Sequence, residues 1–140
     1  MKRLETTRTN ELGELFFCAM YHVNSYWEPD VVSLKAASKV KSATGCNIKG
    51  FSIRLYTDNL NHFLGEHVSE WRKNQVPVRM SDLEKIPSYV NYFGAVSVDL
   101  KNPNRLHFKK ETSTSIVHFI AEMKPRLHEL VGVTLWIQRR

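Results

Sequence analysis

Cysteine is scarce in this chain of 140 residues, which carries only Cys18 and Cys46. Cys18 lies in an apolar helical run and Cys46 in a Gly-flanked loop, so the pair is too sparse for a disulfide framework and too isolated for a zinc site. Long apolar runs are missing as well. No segment approaches the length that spans a bilayer as a helix. The start, Met1-Lys2-Arg3-Leu4-Glu5-Thr6-Thr7-Arg8, carries charge where a signal peptide has its apolar stretch. These absences predict a cytoplasmic protein, soluble where it is made, with no membrane partner. Lys and Arg form no polybasic tail that would anchor it on a lipid surface. No nucleophile-elbow pattern supports a Ser/His/Asp hydrolase. His62 and His67 stand five apart and do not share a helix face, and no His/Asp/Glu cluster has ligand spacing, so neither a metal site nor a cofactor is expected.

What is present is an ordinary globular composition without low-complexity segments, long enough for one domain with a sheet and some helices. The net charge is +6, with a pI near 9.4, which favours phosphate-bearing partners. From Asn10 to Trp27, Leu12, Leu15, Phe16, Ala19, Met20, Val23 and Trp27 recur at helical spacing, with Asn10 as cap and Glu28-Pro29-Asp30 as the stop. Ser33 to Thr44 reads as a short basic helix or a loop before Gly45. Phe51 to Tyr56 alternates as a strand, and a helix capped by Thr57 or Asp58 runs to about Lys73. Gln75 to Val78 is extended, Ser81-Asp82-Leu83-Glu84 opens a short helix that Pro87 ends, and Ala95 to Leu100 is a further strand.

The rest of the chain alternates strictly, which marks strands with one buried face. In Arg105 to Lys109 the apolar set is Leu106 and Phe108. In Ser115 to Lys124 it is Val117, Phe119, Ala121 and Met123, although Ile116, Phe119, Ile120 and Met123 of the same run also fit a helix. In Val131 to Gln138 it is Val131, Val133, Leu135 and Ile137. If the apolar sets share one core, the other face gathers Arg105, His107 and Lys109, then His118 and Glu122, then Thr134, Trp136 and Gln138. Arg54 joins that face if its strand enters the same sheet. Any half-solvated antiparallel sheet alternates in this way. Two histidines, a lysine, an arginine and a tryptophan on one face are what suggest more. Helices first and strands after argue for an α+β fold, with N-terminal helices packed on one face of a roughly four-stranded antiparallel sheet.

The segment Ile53-Arg54-Leu55-Tyr56-Thr57-Asp58-Asn59-Leu60-Asn61-His62-Phe63-Leu64-Gly65-Glu66-His67 resembles the strand-then-helix opening of phage-associated nuclease domains, in which two histidines lie five apart. Val76-Pro77-Val78 and Asp82-Leu83-Glu84-Lys85-Ile86-Pro87 look like that group's next element, and Val133-Thr134-Leu135-Trp136 like its last strand. The group belongs to the barnase, EndoU, colicin and RelE-like (BECR) assembly of RNases. The resemblance covers residues 51–140 as a nuclease-like core of a single 1–140 domain, leaving 1–50 as an added helical element. It implies a metal-independent endoribonuclease acting as a toxin or a phage or mobile-element effector. It also implies tRNA or other cellular RNA as substrate, and an antitoxin or immunity protein as possible partner. Motif position places His62, His67 and Thr134 in the site.

Metal-free RNA cleavage requires one group to take a proton from the 2′-OH and another to protonate the 5′ leaving oxygen, and histidine suits both tasks. A cation must also stabilise the charge that builds on the phosphate. The catalytic candidates are therefore His107 and His118 as acid and base in either order, His67 as an alternative base, Lys109 as phosphate clamp and Thr134 as positioner. Arg54, His62, Arg105 and Trp136 are the substrate-binding candidates, Trp136 through base stacking. Glu122, on the strand of His118, is a candidate to orient it. A non-catalytic nucleic-acid-binding module and an inhibitor of a host protein are the competing functions.

Overall fold

A computed structural model describes residues 7–60 and 75–140 of the chain. In chain order the elements are β1 (Thr7–Thr9), α1 (Leu12–Met20), β2 (Ser25–Val31), α2 (Leu34–Thr44), β3 (Ser52–Tyr56), β4 (Gln75–Val76), α3 (Met80–Glu84), α4 (Ile86–Asn91), β5 (Ala95–Val98), β6 (Arg105–Glu111), β7 (Ser115–Lys124) and β8 (Glu129–Arg139), with 3-10 turns at Thr57–Asn59 and Pro125–Leu127. The fold is α+β, but the expected four-stranded antiparallel sheet under N-terminal helices is incorrect. The strands form one mixed sheet in the order β1-β2-β3-β8-β7-β6-β5, with β4 paired beside β8. The pairs β1–β2 and β3–β8 are parallel, and the other pairs are antiparallel.

The first fifty residues depart most from a helical element, because they supply two strands of this sheet. Helix α1 starts after Glu11, whose N–H donates to Glu14 Oε1 at 3.1 Å. It stops at Met20, seven residues short of Trp27. The stop is a Schellman motif: the Val23 N–H donates to Cys18 O at 2.9 Å and the His22 N–H to Ala19 O at 3.2 Å, with His22 left-handed at φ 58°. The chain then leaves as β2, whose Trp27 faces Leu55 of β3 and enters the core. The Trp27 that continued the helical spacing is thus a strand residue facing the same core.

Other boundaries have local causes. The Ser33 hydroxyl accepts from the Ala36 N–H at 3.1 Å and caps α2, which Gly45 ends at φ 80°. Helix α3 begins before Ser81, with Asp82 Oδ2 accepting from the Arg79 N–H at 2.8 Å. Pro87 does not end it; it lies in the first turn of α4, where its missing N–H leaves no bond unmade.

The Ser115–Lys124 run that fitted two periodicities is a strand, paired along its length with β6 and β8. Its Phe119 faces Phe108 of β6 and Leu135 of β8, and all three are fully buried, each such side chain contributing about 1.5–3 kcal/mol of apolar burial. Helix residues Leu15, Val40, Ile86 and Val90 join the same core cluster. One irregularity changes the pattern of faces. Ile120 pairs with Thr134 but Ala121 pairs with Gly132, so Val133 is an extra residue in β8. Before the bulge the alternation of β8 is therefore inverted. Val131, expected in the core set, stands opposite Glu122, and Glu129 is carried to the face of Arg54 and Tyr56.

Candidate active site on the sheet face

Register assembles the face opposite the core in rows. Lys109, His118 and Trp136 form one row across β6, β7 and β8, His107, Ile120 and Thr134 form the next, and Arg105, Glu122 and Val131 form a third. Two imidazoles from neighbouring rows meet, with His107 Nε2 2.9 Å from His118 Nδ1. On its other side His118 Nε2 lies 3.1 Å from Gln138 Oε1. An amide oxygen only accepts, so His118 Nε2–H donates to Gln138. The Nδ1 of the same neutral ring is then an acceptor and takes the Nε2–H of His107. The chain ends on the Nδ1 lone pair of His107, which has no partner among the described residues.

The two rings differ in surroundings. His118 is 6% exposed and lies flat against the Trp136 indole, with centroids 4.6 Å apart and 6° between planes. His107 is half-buried, its ring 5.4 Å from the same indole and tilted. Burial lowers the pKa of His107, and the neighbouring His118 and Lys109 lower it further, against a smaller opposing effect of Asp99. Burial also lowers His118, the Gln138 hydrogen bond opposes this, and Lys109 adds to the lowering. Both rings sit below the ordinary histidine value, so the pair is neutral at pH 7. His118 also bears on the titration of His107, and the outer lone pair of the two rings lies on His107.

Lys109 is exposed and is the Cα partner of His118 across β6–β7. It is the cation nearest the pair in register. Thr134 lies half-buried in the His107 row, opposite Ile120. Trp136 has one indole face covered by His118, so its first role is to hold that ring.

The remaining candidates separate from the pair. Arg105 Nε lies 3.6 Å from Glu122 Oε1, and Glu122 also pairs with Lys124. Those hydrogen bonds and charges hold the Glu122 carboxyl below its usual value, with Lys124 the main cause. Glu122 therefore does not orient His118; Gln138 does. Arg54 stands in a second cluster, farther along the face. Its Nε donates to Glu28 Oε1 at 2.6 Å, its Nη1 to Glu129 Oε2 at 3.1 Å and to the Tyr56 hydroxyl at 2.9 Å. The guanidinium also lies 4.0 Å from the Tyr26 ring centroid. Tyr56 in turn donates to Glu129 Oε1 at 2.7 Å. Burial works against the Arg54 charge, but the Tyr56 and Glu28 hydrogen bonds and the Glu129 charge outweigh it and raise its pKa. With its donors engaged in this way, Arg54 is a structural cation. His62 and His67, and the helix expected to run to about Lys73 beyond Leu60, lie outside the described residues.

Gln138 was visible in the polar alternation, but nothing in sequence paired it with His118. Glu129 and Glu28 left no such trace: the bulge at Val133 hid the face of Glu129, and Pro29 gave Glu28 the appearance of a helix end. Among the described residues no group of three or more His, Cys, Asp or Glu could hold a metal ion. No helix among them is long and apolar enough to cross a membrane. Compared with family models, curated proteins and solved structures, the chain finds no match in any of the three. Its resemblance to the RNase assembly rests on the sequence motifs alone.

Proposed function

We propose that the protein is a metal-independent endoribonuclease, cleaving tRNA or another cellular RNA by transphosphorylation in the cytoplasm of a host or target cell, as a toxin or mobile-element effector. The observation that carries this reading is the neutral His107–His118 pair, in contact at 2.9 Å beside an exposed lysine. His107 Nδ1 takes the proton of the 2′-OH, and charge can pass inward through its Nε2–H to His118 Nδ1. The 2′-oxygen bonds to phosphorus and the P–O5′ bond breaks. Lys109 offsets the charge on the phosphate oxygens and donates the proton that the 5′ oxygen needs. The products are a 2′,3′-cyclic phosphate and a 5′-hydroxyl, after which solvent returns Lys109 and His107 to their starting states.

The pairing changes the division of labour expected for two histidines. They touch each other and leave no phosphate-sized gap between them, so they cannot stand on opposite sides of the scissile bond. His118 and Gln138 are positioning residues for His107. The same contact favours a second reading, in which the face binds RNA without cleaving it. Incubating the protein with total tRNA in EDTA separates the two: fragments ending in 2′,3′-cyclic phosphate support the nuclease, and retention of intact RNA supports the binder. Neither cleavage nor retention would turn the assignment toward a host-protein inhibitor.

A further inference from the structure

The helix side of the sheet carries a groove of about 850 Å³ that none of the chemistry above uses. It lies between α3, α4 and the β6–β7 hairpin, and the C-terminal end of β8 closes it. Among the described residues, Arg79, Lys85, Lys110, Arg139 and Arg140 line it against one carboxylate, Asp82. That surplus of four positive charges is most of the chain's net +6. Asp82 is turned inward, accepting from the Arg79 N–H at 2.8 Å and lying 3.6 Å from Arg79 Nε. Arg140 donates to Thr112 O at 2.9 Å and faces Glu111 at 3.8 Å. Lys85, Lys110 and Arg139 have no ion pair among the described residues, and Lys110 Nζ lies 5.8 Å from the exposed Tyr92 ring. Ser113 and Thr114 at the hairpin tip complete a rim of hydroxyls.

We propose that this groove binds the phosphodiester backbone of single-stranded RNA, as a second contact for the RNA cut at His107. The identity of the ligand rests on the nuclease reading; the anion site rests on the groove itself. Three cations with no carboxylate partner among the described residues, along an open groove, match a repeating row of phosphates better than one compact anion. The geometry joins the two sites. Lys109 and Lys110 are consecutive in β6 and therefore project to opposite faces, one beside His118 and one into the groove. His118 stands three residues from Ser115 at the groove, about 10 Å by strand rise, so an RNA strand crossing the hairpin end of the sheet reaches both.

The test uses a fluorescent 12-nucleotide 2′-O-methyl RNA, which lacks the attacking hydroxyl, and the full chain carrying Lys85→Gln, Lys110→Gln and Arg139→Gln together. All three retain their stems and change exposed or half-buried positions, and an unchanged thermal midpoint confirms the fold. The expected result is at least a tenfold loss of affinity, with the slope of log affinity against log salt smaller by about 2 for three cations on a single strand. Cleavage of a ribodinucleotide, too short to span the hairpin, should be the same in variant and parent. If the parent binds through these residues but cleaves nothing, the groove stands and the nuclease reading fails. If dinucleotide cleavage occurs but the variant binds the 12-mer with parental affinity and slope, the groove proposal is overturned. Failure of the parent to bind the 12-mer overturns it too.

Discussion

Two neutral histidines in contact have a consequence for stability that can be read without any substrate. A ring whose folded pKa is depressed binds a proton more readily in the unfolded chain, so protonation favours unfolding. The sign is fixed by the lowering of both His107 and His118. Their contribution is complete above the unfolded value of about 6.5 and is lost as pH falls through that value toward the folded one. The urea midpoint should therefore drop between pH 7.5 and pH 5.5. In the His107→Gln/His118→Gln variant that drop should shrink, whereas an equal drop in both proteins would contradict a neutral pair. Arg54 makes the opposite case of a residue whose charge is needed. It lies between Glu28 and the buried Glu129, and Arg54→Met leaves Glu129 without an ion-pair partner among the described residues, while Glu28 keeps only the exposed Arg8 at 3.9 Å. Such a loss costs roughly 3 kcal/mol, measurable by urea denaturation. Adding Glu129→Gln should recover part of it, and no recovery would place the cost elsewhere.

At the scale of elements, the largest difference between expectation and structure has its origin in one residue. Leu12, Leu15, Ala19 and Met20 are legible as a helix, and Val23 and Trp27 continue the same spacing by coincidence. The stop at His22 uses a left-handed position that glycine normally fills, so no sequence signal announced it. His22→Gly relieves the cost of a Cβ there and should raise stability by about 1 kcal/mol. The thermal midpoint checks this, and a lower midpoint would mean that the imidazole contributes more than the strain removes. The core parity of Leu106, Phe108, Val117, Phe119, Leu135 and Ile137 was legible because strict alternation has one physical cause. The double periodicity of Ile116, Phe119, Ile120 and Met123 was resolved by partners on both sides, which no single segment encodes. The bulge at Val133 carries both Val131 and Glu129 to the face opposite the core and follows no local pattern beyond the adjacent Gly132. The parallel β3–β8 pairing joins segments far apart in sequence, beyond the reach of any periodicity.

At the scale of the molecule, the sheet separates two kinds of chemistry. One face holds a neutral base pair beside Lys109, and the other side holds a cationic groove, with the β6–β7 hairpin between them. The candidate site was legible as a set of residues on one face; the contact of His107 with His118 and the role of Gln138 were not, because they depend on rotamers across three strands. Under the proposed function, His107 is the proton acceptor in metal-free RNA cleavage. The most direct measurement is the cleavage rate of tRNA in EDTA by the parent and by His107→Ala, with circular dichroism confirming that both are folded. Removal of a general base predicts a loss of about 10²–10⁴-fold, and equal rates for the two proteins would contradict the account.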